Sequence, residues 1–382
     1  MGPLEGVRVL EMAGLAPAPF GCMLLADLGA EVLQIRRAGG GPAITPPPGP
    51  LDRGRHTLHL DLKHPDGRAA LHDLARTADV FVEGFRPGAA ERLGIGPDDL
   101  MGLNPRLVYG RLTGWGQDGP LAARAGHDIN YIALSGALEP IGRHGERPVP
   151  PLNLLADFAG GGLLLAFGVV AALYERERSG SSQVVDAAMV DGSALLTSFL
   201  YGMRGAGLWN TERGTNHLDG AAPYYDTYEC ADGRYVAVGA LEPQFYAQLT
   251  ALLDLEEDEE GGEEAPFYLD PTGWPRLRER LAAAFRTRPR DEWAALFADT
   301  DACVTPVLSP WEAHTHPHHQ ARNTYVEVDG LTQPAPAPRF SRTPSAPPRP
   351  MDKGGRALAH ALASWGLDTE RVTKLTETGA LS

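Results

Sequence analysis

An α/β fold, a doubly wound and mostly parallel sheet followed by a second, smaller domain, is what this sequence predicts. Short runs rich in β-formers alternate with apolar helical runs through roughly the first half of the chain, the signature of repeated β-α-β units. Near residues 204–220 the composition turns to Gly, Asn and Thr, and beyond that stretch come a β-hairpin pattern and amphipathic helices. The early part therefore builds one sheet, and the later part starts a new core.

Residues 7–10 read as the first strand, 20–28 as an apolar helix stopped by Gly29, and 31–35 as the second strand. The pattern continues with strand 56–62, helix 65–75, strand 79–83, a short helix over 97–104 and strand 106–112. The first turn, 11–17, contains no GxGxxG, so a nicotinamide or flavin dinucleotide is not expected despite the topology. The apolar run 158–174 is 17 residues long, the lower limit for spanning a bilayer, and reads as a buried core helix. A strand over 183–186 and a second apolar helix over 187–201 follow. Residues 225–229 and 234–238 flank Asp232-Gly233 as a hairpin, and helices are expected over 243–253, 275–285 and 291–298. Between 254 and 264, eight of eleven residues are acidic, and self-repulsion without apolar anchors makes a solvated loop. The seven prolines of 334–350 favour an extended run over a surface.

With 43 % hydrophobic and 22 % charged residues the chain is globular rather than disordered. A net charge of -15 and the lack of any Lys/Arg-rich stretch argue against a nucleic-acid partner. No membrane partner is expected either, since the N-terminus lacks the regions of a signal peptide. Cys22, Cys230 and Cys303 are odd in number and far apart, so neither a disulfide framework nor a CxxC metal site is available, and a reducing cytoplasm fits. The basic residues are nearly all Arg, which suits a bidentate grip on phosphates and carboxylates.

His127, in Gly126-His127-Asp128-Ile129-Asn130-Tyr131, and Asp157, in Asn153-Leu154-Leu155-Ala156-Asp157-Phe158, each stand in an apolar or Gly-rich neighbourhood. An imidazole and a carboxylate held apart across one cavity pass a proton from one face of a carbon to the other, which is racemase or epimerase chemistry and needs no metal or redox cofactor. The plain alternatives are one histidine of twelve, and for Asp157 a helix N-cap. Several competing sites are disfavoured. His314-Thr315-His316-Pro317-His318-His319 lacks a helical His pair with a Glu, and Pro317 is expected to break any helix there. Ser193 is outside a GxSxG elbow, and Cys303, between apolar residues, reads as core.

The sequence resembles the class III CoA-transferase family over nearly its whole length. The matching stretches run from Gly6-Val7-Arg8-Val9-Leu10-Glu11 through Gly29-Ala30-Glu31-Val32, Glu83-Gly84-Phe85-Arg86-Pro87-Gly88, the 113–120 loop, Gly126 to Tyr131 and Val184-Val185-Asp186-Ala187-Ala188-Met189 to the run 303–306. The resemblance implies a Rossmann-like large domain and a small α+β domain joined by long linkers, in an interlocked homodimer. On that basis the large, CoA-binding domain takes 1–200 and 335–382, a linker 201–224, the small domain 225–310 and a return linker 311–334. The active site would lie between the large domain of one chain and the small domain of the other.

Within the family, the branch that racemises 2-methylacyl-CoA thioesters places its substrate between residues matching His127 and Asp157, with Glu242 of Glu242-Pro243-Gln244-Phe245-Tyr246 tuning the histidine. In the transferase branch the aspartate is instead a nucleophile that forms an acyl anhydride, and the histidine is generally absent. His127 therefore favours the racemase branch. For the CoA portion of the substrate the resemblance implies Arg37, Leu60, Asp61, Leu62, Lys63, Gly84, Phe85, Arg86 and Arg92, and Gly126, Asp128, Ile129, Asn130 and Tyr131 are expected to bind it too. No cofactor is implied. Ala38 after Arg37, where proline is common, and the loop of Gly39-Gly40-Gly41 and Pro46-Pro47-Pro48 depart from the pattern. The enolate oxygen is expected to meet backbone amides near the start of the Asp157 helix.

Overall fold

Strand β1 (Arg8–Met12), helix α1 (Pro17–Asp27) and strand β2 (Glu31–Arg37) make the first β-α-β unit in the computed structural model, which describes residues 2–38, 49–255, 268–352 and 356–381. Helix α1 begins three residues earlier than its apolar pattern because Pro17, with its fixed φ, is suited to a first helical position. Next come β3 (Arg55–Leu60), α2 (Pro65–Thr77), β4 (Val80–Glu83), α3 (Ala89–Arg92), α4 (Pro97–Leu103) and β5 (Val108–Thr113). Strand β3 stops at Leu60, since Asp61 turns the chain by accepting the Lys63 amide on its carboxylate (2.9 Å). After α5 (Asp128–Leu134) a π-helical segment (Leu154–Leu163) runs into α6 (Leu164–Ser179), followed by β6 (Val184–Ala188) and α7 (Met189–Leu196).

Among the described residues the sheet has the order β3-β2-β1-β4-β5-β6, with every neighbouring pair parallel. Helices cover both faces, so the central strands are apolar throughout: Val9, Leu10, Leu33, Val80, Phe81 and Val82 are all buried. The order reverses between β1 and β4, and in open parallel sheets ligands bind in the crevice beyond the carboxyl ends at such a point. The doubly wound sheet read from the sequence is thus the one found.

Two expectations in this part need correcting. The apolar run expected as a buried core helix buries only one side: Leu165, Ala166, Val169, Ala172 and Leu173 face the core, while Leu163, Phe167, Val170 and Tyr174 form an exposed stripe at helical spacing. By length and composition alone Leu154–Ser179 could cross a membrane, and 39 % of its most apolar window is buried. The helix expected over 187–201 is broken: Ala187 and Ala188 finish β6, and α7 ends at Thr197, whose hydroxyl donates to the Ala194 carbonyl (2.7 Å).

By its internal contacts the chain forms two units, one of Met1–Ser135, Pro151–Thr197 and Pro317–Ser382, the other of Gly136–Pro150 and Ser198–His316. The second unit holds α8 (Ser198–Gly205), β7 (Tyr225–Glu229), β8 (Tyr235–Gly239), α9 (Pro243–Leu252), α10 (Trp274–Phe285), α11 (Arg290–Phe297) and β9 (Val304–Pro306). Its sheet, β7-β8-β9, is antiparallel, with Gly233 supplying the positive φ of the turn. Tyr224, Tyr228, Phe285, Trp293 and Phe297 fill its core. Residues 136–150, adjacent in sequence to the large domain, belong here because Arg143 pairs with the buried Asp226 (2.7 Å) and Arg213 donates to the Glu146 carbonyl (2.6 Å). Cys303 is exposed at a positive φ of 53° and is not the core residue its apolar neighbours suggest, whereas Cys22 and Cys230 are buried. Of the acidic run 254–264 only Asp254 and Leu255 lie within the described residues, and the Gly39–Pro48 loop lies outside them.

The chain returns to the first unit through α12 (Pro317–Arg322) and the hairpin of β10 (Tyr325–Val328) and β11 (Leu331–Pro334). Pro317 therefore opens a helix rather than breaking one, a position where its missing N–H costs nothing. Residues 335–350 carry no regular element. Helices α13 (Arg356–Ser364) and α14 (Thr369–Glu377) then pack Trp365 and Leu375 into the core against β2 and α2 neighbours such as Leu33 and Leu71.

Candidate active site

The crevice at the carboxyl ends of the strands gathers most of the residues singled out from the sequence. Arg37 ends β2 opposite Leu60 of β3, and the Leu60 carbonyl accepts the Ala38 amide (3.3 Å). Leu60 itself is buried, so only its backbone faces outward, while Asp61 and Leu62 are half-buried and Lys63 exposed. Beyond β4, Gly84 and Arg86 are exposed and Phe85 packs on the core. The turn is pinned from below: buried Glu83 accepts the Phe85 amide (2.6 Å) and pairs with Arg111 of β5 (2.9 Å), which also reaches Glu91 (2.8 Å). Arg92 ends α3 near the positive-φ Gly88. Four exposed cations, Arg37, Lys63, Arg86 and Arg92, thus stand on the strand-end side of one sheet.

His127 occupies the position just before α5, with extended backbone and an exposed side chain. Its amide donates to the Asn130 side chain (3.1 Å), and its carbonyl accepts the Asn130 and Tyr131 amides (2.8 and 3.2 Å). Tyr131 folds back so that its hydroxyl donates to the Gly126 carbonyl, and its ring meets Trp115 edge-on at 4.8 Å. Only glycine fits beside this pair: a Cβ on Gly114 would fall 2.2 Å from the Tyr131 ring, and one on Gly126 would fall 2.7 Å from it. The loop that presents His127 is therefore held by an aromatic clamp. Ile129 and Asn130 are exposed on the first turn of α5.

Asp157 lies in the π-helical segment, a geometry found often at functional sites. It is not the N-cap that its position before an apolar run suggests. Asn153 precedes the segment, and its side-chain amide donates to an Asp157 carboxylate oxygen (3.0 Å). The segment packs closely on its neighbours, since a Cβ on Gly160 would sit 2.8 Å from the Ser193 amide, and one on Gly162 would sit 2.4 Å from the Pro17 carbonyl. Glycines let the segment lie directly on α1 and α7.

The two elements meet through Asp128. Its buried carboxylate accepts the Ala156 and Asp157 amides through one oxygen, at 2.7 and 2.8 Å. Two of the amides near the start of the Asp157 segment, those of Ala156 and Asp157, are thus already taken. At the start of α5 the Asp128 and Ile129 amides precede those that the His127 carbonyl accepts, and a helix leaves such first amides without intrahelical partners. Burial raises the Asp157 pKa above the usual aspartate value; the Asn153 hydrogen bond opposes this, the Asp128 charge adds to it, and His127 opposes it. Tyr131 is pushed up to about 12, by burial first and then by Asp157, with Arg86 opposing. His127, Asp128, Tyr131, Asp157 and Arg86 thus form one electrostatic cluster.

Glu242, by contrast, belongs to the second unit, where it is exposed at the start of α9. Asn153 and Trp115 escaped the sequence reading, although Asn153 four residues before Asp157 has the spacing of a helical neighbour. Among the described residues no three His, Cys, Asp or Glu side chains group to hold a metal ion.

This parallel sheet, with cations beyond its strand ends and with His127 and Asp157 on elements tied through Asp128, is the frame of a family of acyl-CoA proteins. The chain belongs to CoA-transferase family III, whose family model matches residues 4–355. It is 48 % identical to the alpha-methylacyl-CoA racemase of Mus musculus, over 97 % of this chain and 96 % of the relative. The alpha-methylacyl-CoA racemase of Homo sapiens is 45 % identical over the same shares of the two chains. A crystal structure of a CAIB/BAIF family protein from Brucella suis shares the fold, with a TM-score of 0.81 over 95 % of this chain and 99 % of that one, at 24 % identity.

Proposed function

We propose that this protein racemises 2-methylacyl-CoA thioesters at the α-carbon by two-base 1,1-proton transfer. The observation that carries the reading is the Asp128 tie, which joins the residue next to His127 to the backbone of Asp157, a half-buried carboxyl of raised pKa. The similarity to the mouse and human racemases supports it. A thioester acidifies its α-hydrogen. His127 serves the (S) face and Asp157 the (R) face: one takes the proton and the other, protonated, returns one to the opposite side. Burial favours this for Asp157, because a carboxyl that must donate has to be protonated part of the time. The enolate oxygen between them is met by the Asp128 and Ile129 amides that open α5.

The CoA portion lies along the strand ends, its phosphates on Arg37, Lys63, Arg86 and Arg92 and its adenine against the backbone of Leu60 to Leu62 and of Gly84 and Phe85. The reaction draws on no cofactor. Two chains pair into a homodimer through the exposed stripe of Leu163, Phe167, Val170 and Tyr174, and Glu242 of one chain orients the histidine of the other. Three free thiols suit a reducing compartment such as the cytoplasm.

The test is to incubate one enantiomer of a 2-methylacyl-CoA in deuterium oxide without any carboxylic-acid acceptor. Deuterium should enter the α-position and both configurations should accumulate. His127→Ala should slow exchange from the (S) enantiomer by about 10²–10⁴-fold. Protein that binds CoA but incorporates no deuterium, and moves CoA only when an acceptor acid is added, would be a transferase with Asp157 as nucleophile.

A further inference from the structure

The helix after His127 and the segment bearing Asp157 are joined by one buried side chain whose second oxygen meets no donor among the described residues. We propose that Asp128 is the positioning residue of the proton-transfer pair, its carboxylate fixing the separation of His127 and Asp157 by holding the Ala156 and Asp157 amides. This rests on the two-base reading above.

Three features of the structure support it. Asp128 is 5 % exposed, and Oδ2 alone receives both amides, at 2.7 and 2.8 Å. Its Oδ1 is buried and meets no protein donor among the described residues. For capping alone, asparagine would accept the same two amides. A buried carboxylate with an oxygen left over is the costlier choice, so a purely structural role does not account for the charge. Finally, the residue follows His127 directly, so any slip of its two hydrogen bonds moves Asp157 against the histidine.

The charge has a second effect on the same neighbour, since Asp128 raises the Asp157 pKa while His127 lowers it. Tyr131 of α5, and Arg86 beside it, complete the set on that side. Of the other elements packed on the segment, α7 carries Asp191, α1 Cys22 and Asp27, β5 Arg111, β6 Asp186, and α6 the ionisable groups of its last turns from Tyr174 to Arg178.

Asp128→Ala and Asp128→Asn separate geometry from charge. In Asp128→Ala, exchange from both enantiomers should fall about 100-fold, the cost of a misplacement near 1 Å, while affinity for CoA stays within about twofold. Asp128→Asn should recover most of the rate, with the Asp157 limb of its pH profile moved to lower pH. If the alanine variant does not fold, the asparagine variant decides the question by its pH limb. Variants matching an exchanging wild type in rate and pH profile would overturn the positioning role alone. Wild-type protein that binds CoA without exchanging deuterium would sink the two-base reading, and this role with it.

Discussion

Gly192→Ala tests whether backbone packing holds Asp157 in place. Gly192 lies in α7, buried, and a Cβ there would stand 1.9 Å from the Gly160 carbonyl oxygen and 2.6 Å from its carbon. Ordinary contact begins near 3.4 Å, so the helix and the π-helical segment must part by about 1.5 Å. No side chain can rotate out of the way, because both partners are backbone. Overpacking of this kind costs about 1–3 kcal/mol, a loss of several degrees in Tm. Asp157 is three residues from Gly160, and a shift of about 1 Å at a reacting group costs roughly 100-fold in rate. Deuterium exchange should therefore collapse while CoA, held at the strand ends, still binds. Gly202→Ala is the control, since a Cβ there meets nothing within 4 Å and should leave both stability and exchange unchanged. A Gly192→Ala protein with wild-type Tm and exchange within twofold would refute the argument.

Two further outcomes follow from the same geometry. Burial raises the Asp157 pKa, so its ionised form is disfavoured by folding: the cost is absent below the ordinary aspartate pKa, grows as pH rises from there to the folded value, and is constant above it. Asp157→Asn mimics the protonated carboxyl and should melt with wild type in acid but about 1–2 °C higher near neutral pH, and equal melting at both pH values would contradict the assignment. Phe167→Glu puts a charge in the middle of the exposed apolar stripe of α6, where Phe167 is 71 % exposed. It should lower the mass seen by light scattering from that of two chains to that of one with the first-unit core intact, whereas an unchanged mass would remove this face from the interface.

Much of the sheet was legible because parallel strands buried on both faces read as short apolar runs, and turns such as Asp61 and Asp232-Gly233 mark their ends locally. The approach of Asp157 to His127 was legible only as a pair of polar residues in apolar settings. Nothing in residues 126–131 says that Asp128 turns back onto the amides of 156 and 157, 28 and 29 positions away. Cys303 was misread for a related reason: apolar neighbours suggest burial, but a positive φ turns the side chain outward. The same holds for 136–150, which follow the large domain in sequence and are drawn to the second unit by ion pairs with Asp226 and backbone contacts of Arg213.

The sequence by itself determined the alternation that winds the sheet, the turns that end its strands, and the apolar or Gly-rich settings in which His127 and Asp157 stand. These are local properties, written in periodicity, turn chemistry and side-chain type. Only the tertiary structure decided that the Asp157 segment winds as a π-helix against two glycine-lined neighbours, that its first amides are spent on Asp128, and that its carboxyl is raised in pKa. The reason is physical. Close backbone packing and burial depend on which distant elements touch, and those contacts exist only once the chain has folded.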